Sequence, residues 1–270
     1  MTPLTITAIT SGILYTAATL AIALRQKRYI YRPGKKVETT PESIGLHYKE
    51  IALQTDDGIT IQAWYIPADA PNAQHKTKTI LYCHGNAGDL ADRIDIIQKI
   101  HALGFHTLIF DYHGYGNSQG TPSEEATHLD ALAAWKQLTQ KQNIPADNII
   151  IYGRSLGAAV ATRLAATHTP HALILDGAFT SIPAMARKKF PLLPVILFTR
   201  HSYDNLSTIR QIKCPLLIAH GKTDKTCPYK HGRQIFHAAP EPKQFIDLTC
   251  GHEQTAFENS PEFCHAIQNI

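Results

Sequence analysis

The chain has 270 residues, a net charge of +4, 44% hydrophobic and 18% charged residues. That balance fits one large α/β domain, leaves room for two small ones, and excludes a chain dominated by disorder. Of the 26 basic residues, Arg25, Lys27, Arg28, Arg32, Lys35 and Lys36 precede the first acidic residue, Glu38; the remainder carries 20 basic against 22 acidic residues, which speaks against a nucleic-acid partner.

The first predicted element is LTITAITSGILYTAATLAIAL, residues 4–24, which is uncharged and long enough to cross a hydrocarbon core as a helix. Its threonines can hydrogen-bond back onto the helix. The basic cluster follows at once, with Tyr29 and Tyr31 read as an interface belt beside a cationic stop. Residues 1–24 are therefore expected to be a single-pass membrane anchor and 25–43 a basic juxtamembrane linker. The positive flank would stay cytoplasmic, with the body of the chain on that side and the N-terminus outside. Two alternatives stay open. A cleaved signal peptide could use Ala21-x-Ala23 but lacks a basic start. A buried core helix would leave the basic cluster unexplained.

From residue 44 the pattern is regular. Alternating runs at 46–55 and 59–67 flank Asp56-Asp57-Gly58 and predict a hairpin. KTILYC (78–83) and HTLIFDY (106–112) read as buried strands, with a helix from Asp89 to Leu103 between them that stops at Gly104. A second helix is expected from Ser123 to Gln142, helped by Pro122 and Glu124 at its start. Then follow strand NIIIYG, a helix over Leu156–His168, strand HALILD, an irregular stretch, strand PLLIAH, a helix over Tyr229–Ala239, strand KQFIDL and a last helix. Eight strands alternating with helices predict a mostly parallel sheet with helices on both faces and an antiparallel hairpin at its start.

One junction stands out. Residues 153–157 read Gly-Arg-Ser-Leu-Gly between a buried strand and a helix. A sharp strand-to-helix turn strains its central residue and leaves room only for small neighbours, and it lifts Ser155 to the carboxyl end of the sheet. A serine hydroxyl needs a base, and the base needs an orienter. Asp224, after the seventh strand, and His252, after the eighth, sit in loops at that same edge. Asp176 after the sixth strand is a rival acid, and Asp247, inside a strand, a weaker one. His84, His113 and His220 are weaker bases than His252, whose preceding Gly251 suggests a tight turn. The expected oxyanion donors are the N–H groups of Leu156 and of Asn86 in HGNAGD (84–89). His84, Gly85 and Phe179 are the expected substrate contacts. A phosphate loop is a poor fit here, because GxGxxG and the P-loop lysine are missing.

Five cysteines without a CxxC pair read as reduced thiols, with one bridge left open. Fifteen histidines include no HExxH or other ligand-spaced set, so no metal is expected.

YCHGNAGD, FDYHGYGNSQG, YGRSLGAAVA, HGKTDKTCP and CGHEQT occur in an order and spacing that resemble the α/β-hydrolase superfamily. They are most similar to its branch of N-terminally anchored serine hydrolases with an HGNAG loop, which includes protein depalmitoylases and bacterial members. The resemblance spans about residues 30–270, including KRYIYRPG after the anchor. It implies the α/β-hydrolase fold, a Ser155–Asp224–His252 triad, and hydrolysis of a carboxylic ester or thioester on a small-molecule or acylated substrate, with no cofactor. His113 stands where the branch usually has arginine, Cys227 where an aliphatic residue is usual, and Ala158 where a third glycine is common. The stretch from Phe179 to Arg210 should form a short lid. MARKKFPLLPVILFTRH within it is read either as a packed edge with a basic corner or as an interfacial lid admitting acyl chains. Amide or peptide cleavage by the same triad, and a binding protein without catalysis, are the competing functions.

Overall fold

The computed structural model describes residues 2–34, 37–69 and 78–270. Lys35 and Lys36 of the basic cluster lie outside the described residues. Strands β1 (Lys49–Gln54) and β2 (Thr60–Ile66) pair antiparallel, with Ile51 opposite Ala63. Gly58 in the turn between them has φ 83°, a conformation that favours glycine. Six more strands follow: β3 (Thr79–Cys83), β4 (His106–Phe110), β5 (Ile149–Arg154), β6 (Ala172–Asp176), β7 (Leu216–Gly221) and β8 (Lys243–Leu248). They form one sheet in the order β8-β7-β6-β5-β3-β4-β2-β1. Only the pairs β1–β2 and β2–β4 are antiparallel.

The continuous apolar runs have a simple cause: both faces of the sheet are covered. All of β3 is buried. Leu81 and Cys83 face one core, and Ile80 and Tyr82 the other. The first core lies under α4 (Glu124–Lys136), α5 (Leu156–Thr167) and α8 (Tyr229–Ala238), through residues such as Trp135, Leu164 and Ile235. The second lies under α3 (Ile94–Ala102), α9 (Ala256–Asn259) and α10 (Pro261–Gln268), through Ile97, Phe257 and Phe263; the short helices α6 (Ile182–Lys189) and α7 (Asn205–Thr208) fall between α5 and α8 in the chain. Two expected helices are modified. The 89–103 helix opens as a 3-10 turn, Leu90–Arg93, capped by Asp89. The 123–142 helix starts with Ser123 accepting from Ala126 N, then loosens into a π turn at Gln137–Lys141.

Helix α1 (Pro3–Leu24) has 22 residues and is long and apolar enough to cross a membrane, spanning about 33 Å at the α-helical rise. Thr19 is its one buried residue, while Leu4 and Leu24 are 84% and 78% exposed, so α1 is not a core helix. Thr7, Thr10, Thr16 and Thr19 each donate their hydroxyl to the carbonyl four residues back, which satisfies the polar groups an apolar medium would penalise. The interface-belt expectation fails for Tyr31. Its side chain is 4% exposed and its hydroxyl bonds to Tyr203 at 2.9 Å, so it belongs to the body. The stretch expected as a linker thus folds onto the domain, through α2 (Gln26–Ile30) and then a parallel bridge between Arg32–Pro33 and Ala87–Gly88.

Candidate active site

Ser155 sits between β5 and α5 with φ 55° and ψ −115°, a left-handed conformation that strains a residue with a side chain. The flanking glycines are sterically required. A Cβ on Gly157 would collide with the backbone of Cys83 and His84, and one on Gly153 with Gly157 O and Ala161. The turn is held by Ser155 N, which donates to Asp176 O at 2.9 Å.

The structure brings Ser155, His252 and Asp224 into one hydrogen-bonded row. Ser155 Oγ lies 3.0 Å from His252 Nε2, and His252 Nδ1 lies 2.7 Å from Asp224 Oδ2. Asp224 Oδ1 accepts the N–H groups of Thr226 and Cys227, both at 2.8 Å. Burial opposes ionisation of Asp224, but the hydrogen bond and charge of His252 and the Cys227 N–H outweigh it and hold the carboxyl below its ordinary range. His220 lies beside this carboxylate, Nε2 to Oδ2 3.6 Å, and donates to Cys227 O at 2.8 Å. Burial lowers the His220 pKa, which favours the neutral ring.

The rival residues are engaged elsewhere. Asp176 accepts from Tyr152 Oη at 2.9 Å and Ala256 N at 3.2 Å, and pairs with Arg154 Nε at 3.6 Å. Asp247 is tied to Tyr229 and Lys222 on the surface. His113 contacts Asp130 at 2.5 Å and Asp57 at 3.4 Å, so both of its ring nitrogens face carboxylates.

Phe179, Asn86 and Leu156 line a cavity of about 480 Å³ that opens at Ser155. Leu156 is the first residue of α5, so its N–H has no partner within the helix and is free for an anion. Two expected substrate contacts are corrected. His84 is 0% exposed; it donates through Nδ1 to Gly85 O and packs against Tyr112 with the rings tilted, centroids 4.4 Å apart. Gly85 is absent from the cavity wall and instead backs Ser155. Gly251 has open space around it and no positive φ, so the turn before His252 does not depend on glycine.

Sequence reasoning missed two contributors. Arg154 Nη2 donates to the carbonyl of His252, and to that of Gln254 at 3.3 Å, which fixes the histidine loop against the serine turn. A charged side chain at the end of an otherwise buried strand was the available signal. The second is the cavity wall from the N-terminal segment: Ile22, Ala23, Gln26 and Tyr29 line the cavity together with Ile182, Met185 and Phe190. No periodicity in the chain links these distant stretches.

His231 on α8 is tied to Thr180, the neighbour of Phe179 in the cavity wall. Its Nδ1 accepts from Thr180 N at 3.1 Å, next to Phe179. Burial, then the nearby Lys230, lowers its pKa to about 4. A histidine depressed in the fold contributes stability above its ordinary pKa near 6.5, and loses it as pH falls from there toward 4. We expect Tm to drop on acidification from pH 7 to 5, and His231→Asn, whose amide oxygen can replace the Nδ1 acceptor, to show a smaller drop in thermal scans at the two pH values. Equal drops in both proteins would exclude His231 as a source of the acid sensitivity.

Comparison with known proteins agrees with this geometry. Residues 78–195 match the family described as alpha/beta hydrolase fold. The alpha/beta hydrolase domain-containing protein WAV2 of Arabidopsis thaliana is 30% identical over 264 residues, covering 89% of this chain and 84% of its own. Lysophosphatidylserine lipase ABHD12 of Mus musculus is 34% identical over 244 residues, covering 77% of this chain and 61% of its own. The esterase Pf2001 of Pyrococcus furiosus shares the fold with a TM-score of 0.70 over 89% of this chain and 97% of its own, at 20% identity. With a relative at 30% identity aligned along most of both chains, and a sheet of the order found here, this chain belongs to the α/β-hydrolase family.

Proposed function

We propose that the chain is a serine hydrolase that cleaves carboxylic esters or thioesters of acyl chains at a membrane surface. The observation that carries this reading is the continuous row from Asp224 through His252 to Ser155, 2.7 Å and 3.0 Å, opening on an apolar cavity. In the first half-reaction Ser155 Oγ attacks the acyl carbon while His252 Nε2 takes its proton. Asp224 holds the ring so that Nδ1 keeps its hydrogen, and its charge stabilises the imidazolium. The carbonyl oxygen gains negative charge, met by the N–H groups of Leu156 and Asn86 and by the positive end of α5. The carbon–oxygen or carbon–sulfur bond then breaks as His252 protonates the leaving group. Water repeats the sequence on the acyl-serine and releases the acid.

The cavity falls within the range of small-molecule sites, about 300–1,000 Å³. Phe179, Met185, Phe190, Val195 and Phe198 give it an apolar wall suited to an acyl chain. Leu192 and Leu197 in the lid stretch are 84% and 78% exposed, beside the exposed face of α1, and suit immersion in lipid. The mouse relative is a lysophosphatidylserine lipase, and such a substrate carries an acyl ester. In this reading α1 is a single-pass anchor, and the basic residues after it keep the body on the cytoplasmic side.

The test is a fluorophosphonate probe together with p-nitrophenyl esters of increasing chain length and aminoacyl anilides. The intact protein is expected to be labelled and to prefer longer esters over acetate and over the anilides. Ser155→Ala should lose labelling and about 10⁴-fold or more in kcat. Labelling that survives Ser155→Ala, or preferred turnover of the anilides, would refute the proposal.

A further inference from the structure

The segment between the apolar helix and the domain is bound to the loop that carries Asn86. Arg32 N donates to Asn86 O at 2.9 Å, and Gly34 N to Gly88 O at 2.9 Å. In return Asn86 Nδ2 donates to Ile30 O at 2.7 Å. Tyr115 Oη donates to the same Asn86 carbonyl at 2.8 Å and lies 3.3 Å from Arg32 N. Both polar ends of Asn86 are therefore fixed by Ile30, Arg32 and Tyr115, while the residue lines the cavity beside Ser155. The strap itself has a rigid footing. Ile30 and Tyr31 are buried, and Tyr31 Oη bonds to Tyr203 Oη, which bonds to Thr127 Oγ1, each at 2.9 Å.

We propose that Ile30–Gly34 is a positioning element of the active site: it closes on the Asn86 loop as an added strand and sets the Asn86 N–H where the reacting oxygen becomes negative. The inference rests on the reading of Asn86 N–H as an oxyanion donor. A backbone donor on a free loop must be ordered in each turnover, whereas one locked by three hydrogen bonds is already in place. The Asn86 side chain does not point to substrate in this scheme; its amide is a tie to Ile30. The same few residues connect α1 to the domain, so the element that ends the apolar helix also completes the site.

The experiment uses the full chain in detergent micelles, with two variants. Asn86→Ala keeps the backbone N–H and removes the tie to Ile30. Arg32→Pro removes the strap donor to Asn86 O; Tyr31 before it is extended, φ −109° and ψ 129°, which a following proline accepts. Each variant should lower kcat for a p-nitrophenyl ester by about 10- to 100-fold with KM within about twofold, since a misplaced donor weakens only the transition state. Inhibition by a trifluoromethyl ketone, which forms the same oxyanion on Ser155, should weaken by the same factor. That inhibition constant is independent of how much of the sample is folded, so it separates positioning from simple loss of structure. Arg32→Pro failing to fold leaves Asn86→Ala as the deciding variant. An unchanged inhibition constant in Asn86→Ala, or a raised KM with unchanged kcat, overturns the proposal. A wild-type chain that neither turns over esters nor binds the ketone would instead overturn the hydrolase reading on which it stands.

Discussion

Asp224→Asn is expected to lower kcat on p-nitrophenyl esters by about 10⁴-fold while KM changes by no more than about twofold. The size follows from how the carboxylate is held. Its Oδ1 accepts two backbone N–H groups, from Thr226 and Cys227. An asparagine must keep its oxygen there, because an NH₂ group facing two N–H donors would leave buried donors unpaired. Its NH₂ then points at His252 Nδ1 and donates to it. The ring is driven into the tautomer with hydrogen on Nε2, which cannot take the Ser155 proton. The surrounding hydrogen bonds survive, so the variant should fold with near wild-type Tm. Ser155→Ala combined with Asp224→Asn should be no slower than Ser155→Ala alone, since the residues act as a unit. Asp176→Asn makes the contrast: it should act on Tm through Arg154, Tyr152 and Ala256, with a smaller loss in kcat. Steady-state kinetics and thermal melts on these four proteins decide the matter. A fully active Asp224→Asn would remove Asp224 as the orienter.

The parts of the molecule set by local rules were legible in the chain. Strands β3 to β7 follow from unbroken apolar runs, because a sheet covered on both faces has no polar side to write into the sequence, while the hairpin β1–β2 at the edge shows as alternation. The Ser155 turn was legible because its steric demand falls on Gly153 and Gly157, two positions that announce themselves. Residues joined across long separations were not. Tyr31 reads as a membrane-interface tyrosine, yet its partner Tyr203 lies 172 positions away. His84 reads as a loop residue facing substrate, yet Tyr112 and Asp111 of the next crossover draw it under the loop. Asp224 and Asp176 both lie at the carboxyl edge of the parallel strands, and sequence alone ranks them only by loop position. What separates them is Arg154, which takes Asp176 as its partner and leaves Asp224 to His252. Charge pairing of this kind is settled in three dimensions, by which side chain reaches the carboxylate first.

Gly157→Ala is expected to destabilise the fold by about 3 kcal/mol or more, the upper range of overpacking in a filled interior. That corresponds to a fall in Tm of about 6–12 °C for a domain of this size. The added Cβ would meet the carbonyl carbon and oxygen of Cys83 and the oxygen of His84, all backbone atoms. A flexible side chain could swing aside, but Cys83 is paired with Gly153 of β5, and Tyr82 before it with Ile109 of β4, so the end of β3 has little room to move. The strain must therefore move the chain just beyond it, the segment His84–Asn86. For that reason the substitution should also lower kcat, even though Gly157 touches no substrate. Gly251→Ala is the control for stability. Its Cβ would project into open space, so its stability should stay within the roughly ±0.5 kcal/mol of ordinary surface changes. Gly157→Ala with a wild-type Tm would mean that β3 and α5 can separate without penalty. The close approach that lifts Ser155 out of the sheet would then be an accommodation to glycine rather than the reason glycine is there.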